Sequence, residues 1–165
     1  MPREQALLDA LNSLDVVWSM HEHEAVFTVE ASAKLHGDIA GTHTKNLFLK
    51  DAGGQFWLVT APHDARLDLK AMPPVIGSKK LSFGNAEDMM RLLGVTPGSV
   101  TPLAGFNSSA GSVKIVFDQQ LSSAAWINVH PLRNTATIGM SGDALVLFLR
   151  QCGHEVMIVP LPEPR

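Results

Sequence analysis

The fold is decided by the run Asn46-Leu47-Phe48-Leu49-Lys50-Asp51-Ala52-Gly53-Gly54-Gln55-Phe56-Trp57-Leu58-Val59-Thr60. Two apolar segments flank a short turn whose paired glycines allow the backbone angles that a tight reversal needs. A strand, a glycine turn and a second strand together predict a β-hairpin. The hairpin is the clearest element of the chain.

Shorter patterns on both sides of the hairpin predict further elements. Leucines at helical spacing, polar caps such as Asn85 and Ser141, and glycines at the far ends mark the helices. Two prolines and two glycines within residues 94–102 predict a loop without regular structure. Helices are predicted for residues 4–14, 28–37, 85–94 and 141–149, and strands for 113–117, 126–129, 135–138 and 156–159.

Strands that cluster with interspersed helices, without a regular βαβ alternation, predict a mixed α/β or α+β domain. The 165 residues are 45% hydrophobic and 18% charged, which is an ordinary globular composition. We therefore expect residues 1–165 to form a single domain.

Composition also narrows the compartment and the partners. The first residues lack a basic segment followed by an apolar core, and no apolar run approaches the roughly 20 residues of a membrane span. The single cysteine, Cys152, excludes an internal disulfide framework. A net charge of -3 argues against a protein that coats long nucleic-acid duplexes. We expect a cytoplasmic protein with neither a membrane nor DNA as a partner.

Lys45 is the most informative residue outside the turn. Strand alternation places it in phase with Leu47 and Leu49, whereas Lys50 falls on the opposite face. Desolvating an ammonium group is costly unless acceptors or an anion meet it. Lys45 is therefore either a lysine whose stem reaches to solvent at a strand end or a charge that binds a ligand.

Two further elements are candidates for a site, although neither decides the matter alone. The loop Gly98-Ser99-Val100-Thr101-Pro102 either presents backbone amides to a ligand or is a plain connector. His130 precedes Pro131 at a strand end, where it is either a site residue or a hydrogen-bonded structural histidine.

Other common chemistries have little support. The phosphate-binding patterns GxxxxGK[ST] and GxGxxG are missing, as is the nucleophile pattern GxSxG. His21 and His23 alternate along a predicted strand, but a metal site needs a third ligand, from His36, His43, His63 or His130, that no spacing supports. Cys152, late in an apolar helix, is interpreted as a buried residue and not as a nucleophile. We predict neither a metal nor another cofactor.

The site candidates together resemble the bacterial prolyl-tRNA editing family, the YbaK/ProX-like aminoacyl-tRNA deacylases. Thr44-Lys45-Asn46-Leu47-Phe48-Leu49 is similar to the family's lysine-bearing strand, residues 98–102 to its GxxxP loop, and His130 to its late histidine. Their order and separations also agree, and the resemblance covers nearly the whole chain. It implies a strongly curved mixed sheet with flanking helices.

The resemblance also implies a function, which is hydrolysis of the ester in a mischarged prolyl tRNA. A chain of this length has no room for a synthetase body, so we expect a freestanding, trans-acting version. Asn46 and the run of residues 131–137 look more like the branch acting on alanyl-tRNA(Pro) than the cysteinyl-specific branch. A noncatalytic tRNA-binding or synthetase-associated module and a metal-dependent hydrolase using His21 and His23 remain the alternatives.

The roles implied for individual residues follow the same resemblance. An aminoacyl ester is already reactive, so orientation of the ester and stabilisation of the oxyanion suffice without a metal. Lys45 would engage the phosphate or ribose of the terminal adenosine, backbone amides near Gly98 would contact the carbonyl, and His130 would orient the substrate or act as a base. Substrate contacts are expected from Asn46, Ser99, Val100, Thr101 and Pro102.

The partner implied is the acceptor end of aminoacylated tRNA(Pro), with docking on prolyl-tRNA synthetase or an elongation factor left open. Six of the thirteen lysines and arginines lie between residues 45 and 80. A protein that reads a single-stranded end needs few phosphate contacts, so these residues are enough for a local patch. Besides Lys45, the predicted tRNA contacts are Lys50, Arg66, Lys70, Lys79 and Lys80, and the alternative for each is an ordinary solvated surface position.

Overall fold

The computed structural model describes residues 2–25, 33–35, 37, 39–109 and 111–164. Its helices are α1 (Pro2–Ser13), α2 (Met72–Ile76), α3 (Ala86–Leu93), α4 (Gln119–Ser122) and α5 (Gly142–Gln151), with 3₁₀ turns at Pro97–Ser99 and Pro102–Asn107. Its strands are β1 (Trp18–Glu22), β2 (Thr42–Asp51), β3 (Phe56–Pro62), β4 (Leu81–Phe83), β5 (Val113–Asp118), β6 (Ile127–Val129), β7 (Ala136–Met140) and β8 (Val156–Val159). Within the described ranges, no helix has both the length and the apolar character to cross a membrane.

The described strands form one mixed sheet that is organised around β2. The order is β1-β7-β6-β2-β3-β5-β8, and β4 also pairs with β2. One edge of β2 pairs antiparallel with β3 from Thr44 to Lys50. The other edge pairs in parallel with β6 at Thr42 and His43, and antiparallel with β4 at Leu49 to Asp51. Between those two pairings, no described strand pairs with this edge of β2.

Alternation along β3 separates the core into layers on the two faces of the sheet. Phe56 and Leu58 pack with α3 and with Val100 of the following loop. Trp57, Val59 and Ala61 point to the opposite face and pack with α2. A third cluster joins α1 and α5 to β5, β6 and β7. Because both faces of β3 are covered, all seven of its residues are buried.

The predictions for regular structure are largely confirmed. The mixed sheet with flanking helices is present, and Asn85 and Ser141 cap α3 and α5 by accepting from the amides of Asp88 and Ala144. The hairpin strand β2 begins four residues before the predicted Asn46. The prediction of no regular structure in residues 94–102 is wrong at Pro97–Ser99, where proline favours a 3₁₀ turn. The helix predicted from Thr28 begins outside the described residues.

Asp51 holds the hairpin turn together. Its carboxylate accepts hydrogen bonds from the amides of Gly53 at 2.9 Å, Gln55 at 3.1 Å and Lys79 at 3.3 Å, and from Trp57 Nε1 at 3.2 Å. Burial alone would raise the pKa of Asp51, but these donors outweigh it and hold the pKa below its ordinary value of 3.8. The turn therefore depends on an ionised carboxylate.

We predict that Asp51 contributes acid-sensitive stability. Its folded-state pKa lies below 3.8, so this contribution is present above that pH and is lost as the pH falls through the folded-state value. Asp51→Asn should lower the free energy of unfolding by about 1–3 kcal/mol at pH 7. Urea titrations at pH 7 and pH 3 should show a smaller difference between variant and wild type at the lower pH.

Asp15→Asn is the matched control, because Asp15 is exposed and its positive φ of 57° suits asparagine. It should leave the unfolding free energy nearly unchanged at both pH values. A constant deficit of Asp51→Asn between pH 7 and pH 3 would contradict the proposed ionisation.

Candidate active site

The start of β2, the end of β6 and the beginning of β7, together with Leu35, line a small, partly open cavity of about 60 Å³. Most of its described lining residues are polar, and none of the described ones is a lysine, arginine, aspartate or glutamate. They are Leu35, His43, Thr44, Asn46, Asn128, Val129, His130 and Thr137. The cavity therefore offers hydrogen-bonding groups without a fixed charge.

Asn46 connects this cavity to the GxxxP loop. Its Nδ2 donates to the Val100 carbonyl at 3.1 Å, and its Oδ1 accepts from Thr60 Oγ1 at 2.7 Å. The nitrogen and the oxygen of the side-chain amide are thus both hydrogen-bonded, which fixes the side chain in one orientation. The loop is thereby held against β2 on the face that carries the cavity.

The GxxxP loop also lies beside the segment that follows His130. A Cβ built on Gly98 would lie 3.4 Å from Asn134 Nδ2, so the two segments are neighbours. Gly98 is exposed, whereas Ser99, Val100, Thr101 and Pro102 are buried. The exposed backbone of Gly98 is the accessible part of the loop, and the other four residues form its packed base.

The amides of this loop are not all available to a substrate. The Ser99 amide donates to the Thr96 carbonyl at 2.9 Å, and the Thr101 hydroxyl accepts from the Leu103 amide at 3.2 Å. Gly98 lies in the first turn of a 3₁₀ segment, where amides have no acceptor within the helix. Because Gly98 is the exposed residue of the loop, its N–H is the candidate donor to a substrate.

His130 lines the cavity as a neutral imidazole. Its Nδ1 lies 3.2 Å from the Ala136 carbonyl, which can only accept, so Nδ1 carries the proton and Nε2 keeps its lone pair. Burial lowers the pKa of His130, the Ala136 carbonyl raises it in part, and charge on His23 would lower it further. The Nε2 atom is therefore an acceptor at neutral pH.

Lys45 points to the face opposite the cavity. It is half-buried, and its Nζ donates to the Ala65 carbonyl in the turn after β3. Leu47 and Leu49, which share its phase, pack in the core layer on that face. The predicted phase of Lys45 is confirmed, but the structure places Asn46, and not Lys45, beside His130.

The Lys45 face has an opening of its own. A cleft of about 540 Å³ with three carboxylates lies there, and its lining residues are Pro62, Asp64, Ala65, Leu67, Asp118, Gln119, Gln120, Pro160, Leu161 and Glu163. Lys45 also lies in the part of β2 whose second edge pairs with no described strand. An ammonium on a four-carbon stem has three donors, of which the Ala65 carbonyl uses one.

The predicted tRNA-binding residues fall into two groups. Arg66 and Lys70 follow Ala65 and so lie near the Lys45 end of β2. Lys50, Lys79 and Lys80 are exposed around the hairpin turn, with Lys50 Nζ 5.4 Å from the centre of the Phe56 ring. Lys50 lies five positions after Lys45 along the strand, which is a distance of roughly 17 Å. The basic residues therefore do not form one compact patch.

His21 and His23, the two histidines considered as metal ligands, have different surroundings. His21 is exposed, and His23 donates from Nδ1 to the Glu24 carbonyl at 2.8 Å and accepts at Nε2 from Thr137 Oγ1 at 2.9 Å. Across the described ranges, no three His, Cys, Asp or Glu residues gather in a metal-binding arrangement. His36, one proposed third ligand, lies outside those ranges.

Sequence reasoning missed two groups at the cavity. Asn128 precedes His130 by two positions, so strand alternation could have placed both on one face. Thr137 of β7 pairs with His21 of β1. Sequence alone does not reveal this strand pairing.

Arg133 fixes the segment that follows His130. Its Nε lies 3.1 Å from the Glu4 carboxylate, its Nη2 lies 2.6 Å from Glu22 Oε1, and its Nη1 donates to Thr135 Oγ1 at 2.8 Å. The Glu22 and Glu4 carboxylates raise the pKa of Arg133, and the Arg133 guanidinium lowers the pKa of Glu22. The segment is thus joined to both α1 and β1.

A mixed sheet with a small neutral cavity beside a glycine loop defines a domain that accommodates a small polar group. The comparisons with known proteins agree with this description. The family described as aminoacyl-tRNA editing domain matches residues 23–148, and the chain belongs to this family. Editing of an aminoacyl-tRNA is hydrolysis of its ester, so the protein is an enzyme of the aminoacyl-tRNA deacylase class.

Similar proteins span nearly the whole chain. The prolyl-tRNA editing protein ProX of Acetoanaerobium sticklandii is 34% identical over 162 residues, covering 98% of this chain and 99% of that protein. The prolyl-tRNA synthetase associated domain-containing protein 1 of Xenopus laevis is 38% identical, with coverages of 94% and 95%. A solved structure of a candidate trans-editing enzyme for prolyl-tRNA synthetase shares the fold with a TM-score of 0.70, at 19% identity and with coverages of 98% and 96%.

We predict that His130 titrates below its ordinary pKa of 6.5, since burial disfavours the charged ring. Long-range ¹H–¹⁵N NMR spectra across pH 5 to 8 should show a neutral ring protonated at Nδ1 at pH 7. His130→Gln would assign the resonances. A pKa above 6.5, or a proton on Nε2 at pH 7, would contradict the geometry.

Proposed function

We propose that this protein is a trans-editing hydrolase that deacylates mischarged tRNA(Pro), with Ala-tRNA(Pro) as its substrate. The observation that carries the choice of substrate is the small uncharged cavity at the start of β2. The names of the relatives from Acetoanaerobium sticklandii and Xenopus laevis support tRNA(Pro) as the nucleic acid.

Such an enzyme is needed because the selectivity of the synthetic site for its amino acid is limited. A synthetic site that accepts proline rejects a smaller amino acid poorly, because each missing methylene changes binding by only about 1–3 kcal/mol. A second site with the opposite size preference removes the errors. Overfilling a packed cavity is penalised by steric clash, so a small cavity excludes the larger, correct amino acid.

The cavity volume suits this size preference. One water-sized group needs roughly 10–15 Å³ of cavity volume, so about 60 Å³ accommodates four to six groups. An alanyl group has five heavy atoms and a prolyl group has seven. The volume thus admits an alanyl group and excludes a prolyl group, while cysteine and serine, each with one more heavy atom than alanine, are the nearest competitors.

The aminoacyl ester is already reactive, so the enzyme mainly has to orient it. Water attacks the ester carbonyl, the bond to the ribose oxygen breaks, and that oxygen takes up a proton, which leaves a free amino acid and tRNA. The exposed Gly98 amide is the donor proposed for the developing oxyanion. His130 Nε2, neutral and unprotonated, is proposed to orient the reacting groups beside it.

Lys45 has a different place in this scheme. Its position on the other face of β2 keeps it out of the aminoacyl cavity, and we assign it to the ribose or phosphate of the terminal adenosine. Binding would exchange the Ala65 carbonyl for a phosphate oxygen, across the edge of β2 that has no described strand partner. Lys45 then sets the position of the ester, while the cavity reads the amino acid.

The decisive experiment is a deacylation panel with alanyl-, cysteinyl-, seryl- and prolyl-tRNA(Pro) and with alanyl-tRNA(Ala). We expect rapid hydrolysis of alanyl-tRNA(Pro) alone. Preferential hydrolysis of cysteinyl-tRNA(Pro) would overturn the alanine assignment, and hydrolysis of alanyl-tRNA(Ala) at the same rate would overturn the tRNA assignment. Binding of tRNA without hydrolysis of any ester would instead support a noncatalytic binding module.

We predict that Lys45→Ala lowers kcat/KM for alanyl-tRNA(Pro) by about 10- to 100-fold, because a hydrogen bond to a charged group is worth about 1.5–3 kcal/mol. Lys45→Arg should recover part of the loss. Lys114→Ala is the matched control, since Lys114 is an exposed strand lysine that covers the Trp57 ring. Near-normal turnover by Lys45→Ala would refute the proposed role.

A further inference from the structure

Asn128 contributes an acceptor that has no donor. The side chain is 4% exposed, it lines the cavity, and its Oδ1 is buried without a hydrogen-bond partner among the described residues. Buried polar atoms in folded proteins are nearly always paired, so an unpaired carbonyl oxygen at a cavity calls for an explanation. A ligand that brings an N–H group is one.

The orientation of Asn128 is fixed by the groups around it. Its Nδ2 donates to the Ala40 carbonyl at 3.0 Å, and its backbone carbonyl accepts from Thr44 Oγ1 at 2.7 Å. Turning the amide over would place Oδ1 against the Ala40 carbonyl, where two acceptors would repel each other. The unpaired atom is therefore the oxygen, and it remains an acceptor.

A second acceptor of the same kind lies two residues along the chain. His130 Nε2 keeps its lone pair because Nδ1 donates to the Ala136 carbonyl. Residues two apart on an extended segment lie on the same side, and both Asn128 and His130 line the cavity. Two neutral acceptors in a cavity whose described lining carries no carboxylate complement a small group with several N–H donors.

We propose that Asn128 Oδ1 and His130 Nε2 together bind the α-amino group of the aminoacyl moiety, so that Asn128 selects esters of unblocked α-amino acids. This inference rests on the proposed function and names the group that its cavity recognises. An amino group has two or three N–H donors, enough for both acceptors. The methyl group of alanine then lies against the apolar part of the wall, at Leu35 and Val129.

The competing explanation is an ordered water held by the same two acceptors. A water would be needed for every ester, whatever its acyl group. An amino-group contact matters only for substrates that have an amino group, and this difference makes the two explanations separable.

The test compares alanyl-tRNA(Pro) with propionyl-tRNA(Pro), in which a hydrogen atom replaces the amino group. The wild-type preference for the alanyl ester, measured as a ratio of kcat/KM values, should fall by about 10- to 100-fold in Asn128→Ala. Differences in intrinsic ester reactivity cancel, because both enzymes act on the same pair of substrates. Asn107→Ala is the matched control, since Asn107 also donates an amide hydrogen bond to a backbone carbonyl, that of Leu93, at 2.9 Å.

Equal losses for both esters in Asn128→Ala would overturn the inference and favour a water or a structural role. Absence of any hydrolysis by the wild type would instead count against the proposed function. A binding measurement then decides the inference separately. Calorimetry with adenosine carrying a 3′-alanylamino or a 3′-propionylamino group should show an Asn128-dependent preference for the alanyl compound, and equal wild-type affinities would overturn it.

Discussion

Strand alternation along β2 is the constraint on which the rest of the molecule depends. This strand pairs with β3 on one edge and with β6 and β4 at the two ends of the other edge, so its course fixes the whole sheet. Successive residues must then point to opposite faces. Lys45 and Asn46 are chain neighbours that serve two different surfaces for this reason. A shift of one residue in the β2–β3 register would exchange those surfaces and disrupt the core layers on both sides.

The parts of the structure that sequence could predict are those governed by local rules. The hairpin follows from two apolar runs and a glycine turn, and the caps at Asn85 and Ser141 follow from side chains that accept amide hydrogen bonds. The phase of Lys45 follows from alternation alone. The direction of its ammonium does not, because the Ala65 carbonyl comes from a turn twenty residues away whose position depends on the whole sheet. The cavity is harder still to predict, since Asn128 and Thr137 reach it through pairings between distant strands.

The described lining of the cavity contains no lysine, arginine, aspartate or glutamate. Its polar groups are amides, hydroxyls and imidazoles, and burial keeps His130 uncharged near neutral pH. Charge is placed outside, on Lys45 at one face of β2 and on the separate basic residues of the surface. Under the proposed function, this arrangement would separate recognition of the small acyl group from recognition of the nucleotide. It also accounts for the acidic net charge, because a few local cations are enough for a single-stranded end.

Arg133 connects α1 to the segment that follows His130 at the cavity. The guanidinium joins Glu4 of α1 and Glu22 of β1 to the segment that follows His130, where Leu132 is held at a φ of 72°. A non-glycine residue in that region is strained and keeps its conformation only while its surroundings hold it. Displacement of α1, by a fused tag or by a bound protein, would therefore loosen the wall of the cavity from a distance. Through Arg133, α1 is in this sense coupled to the candidate active site.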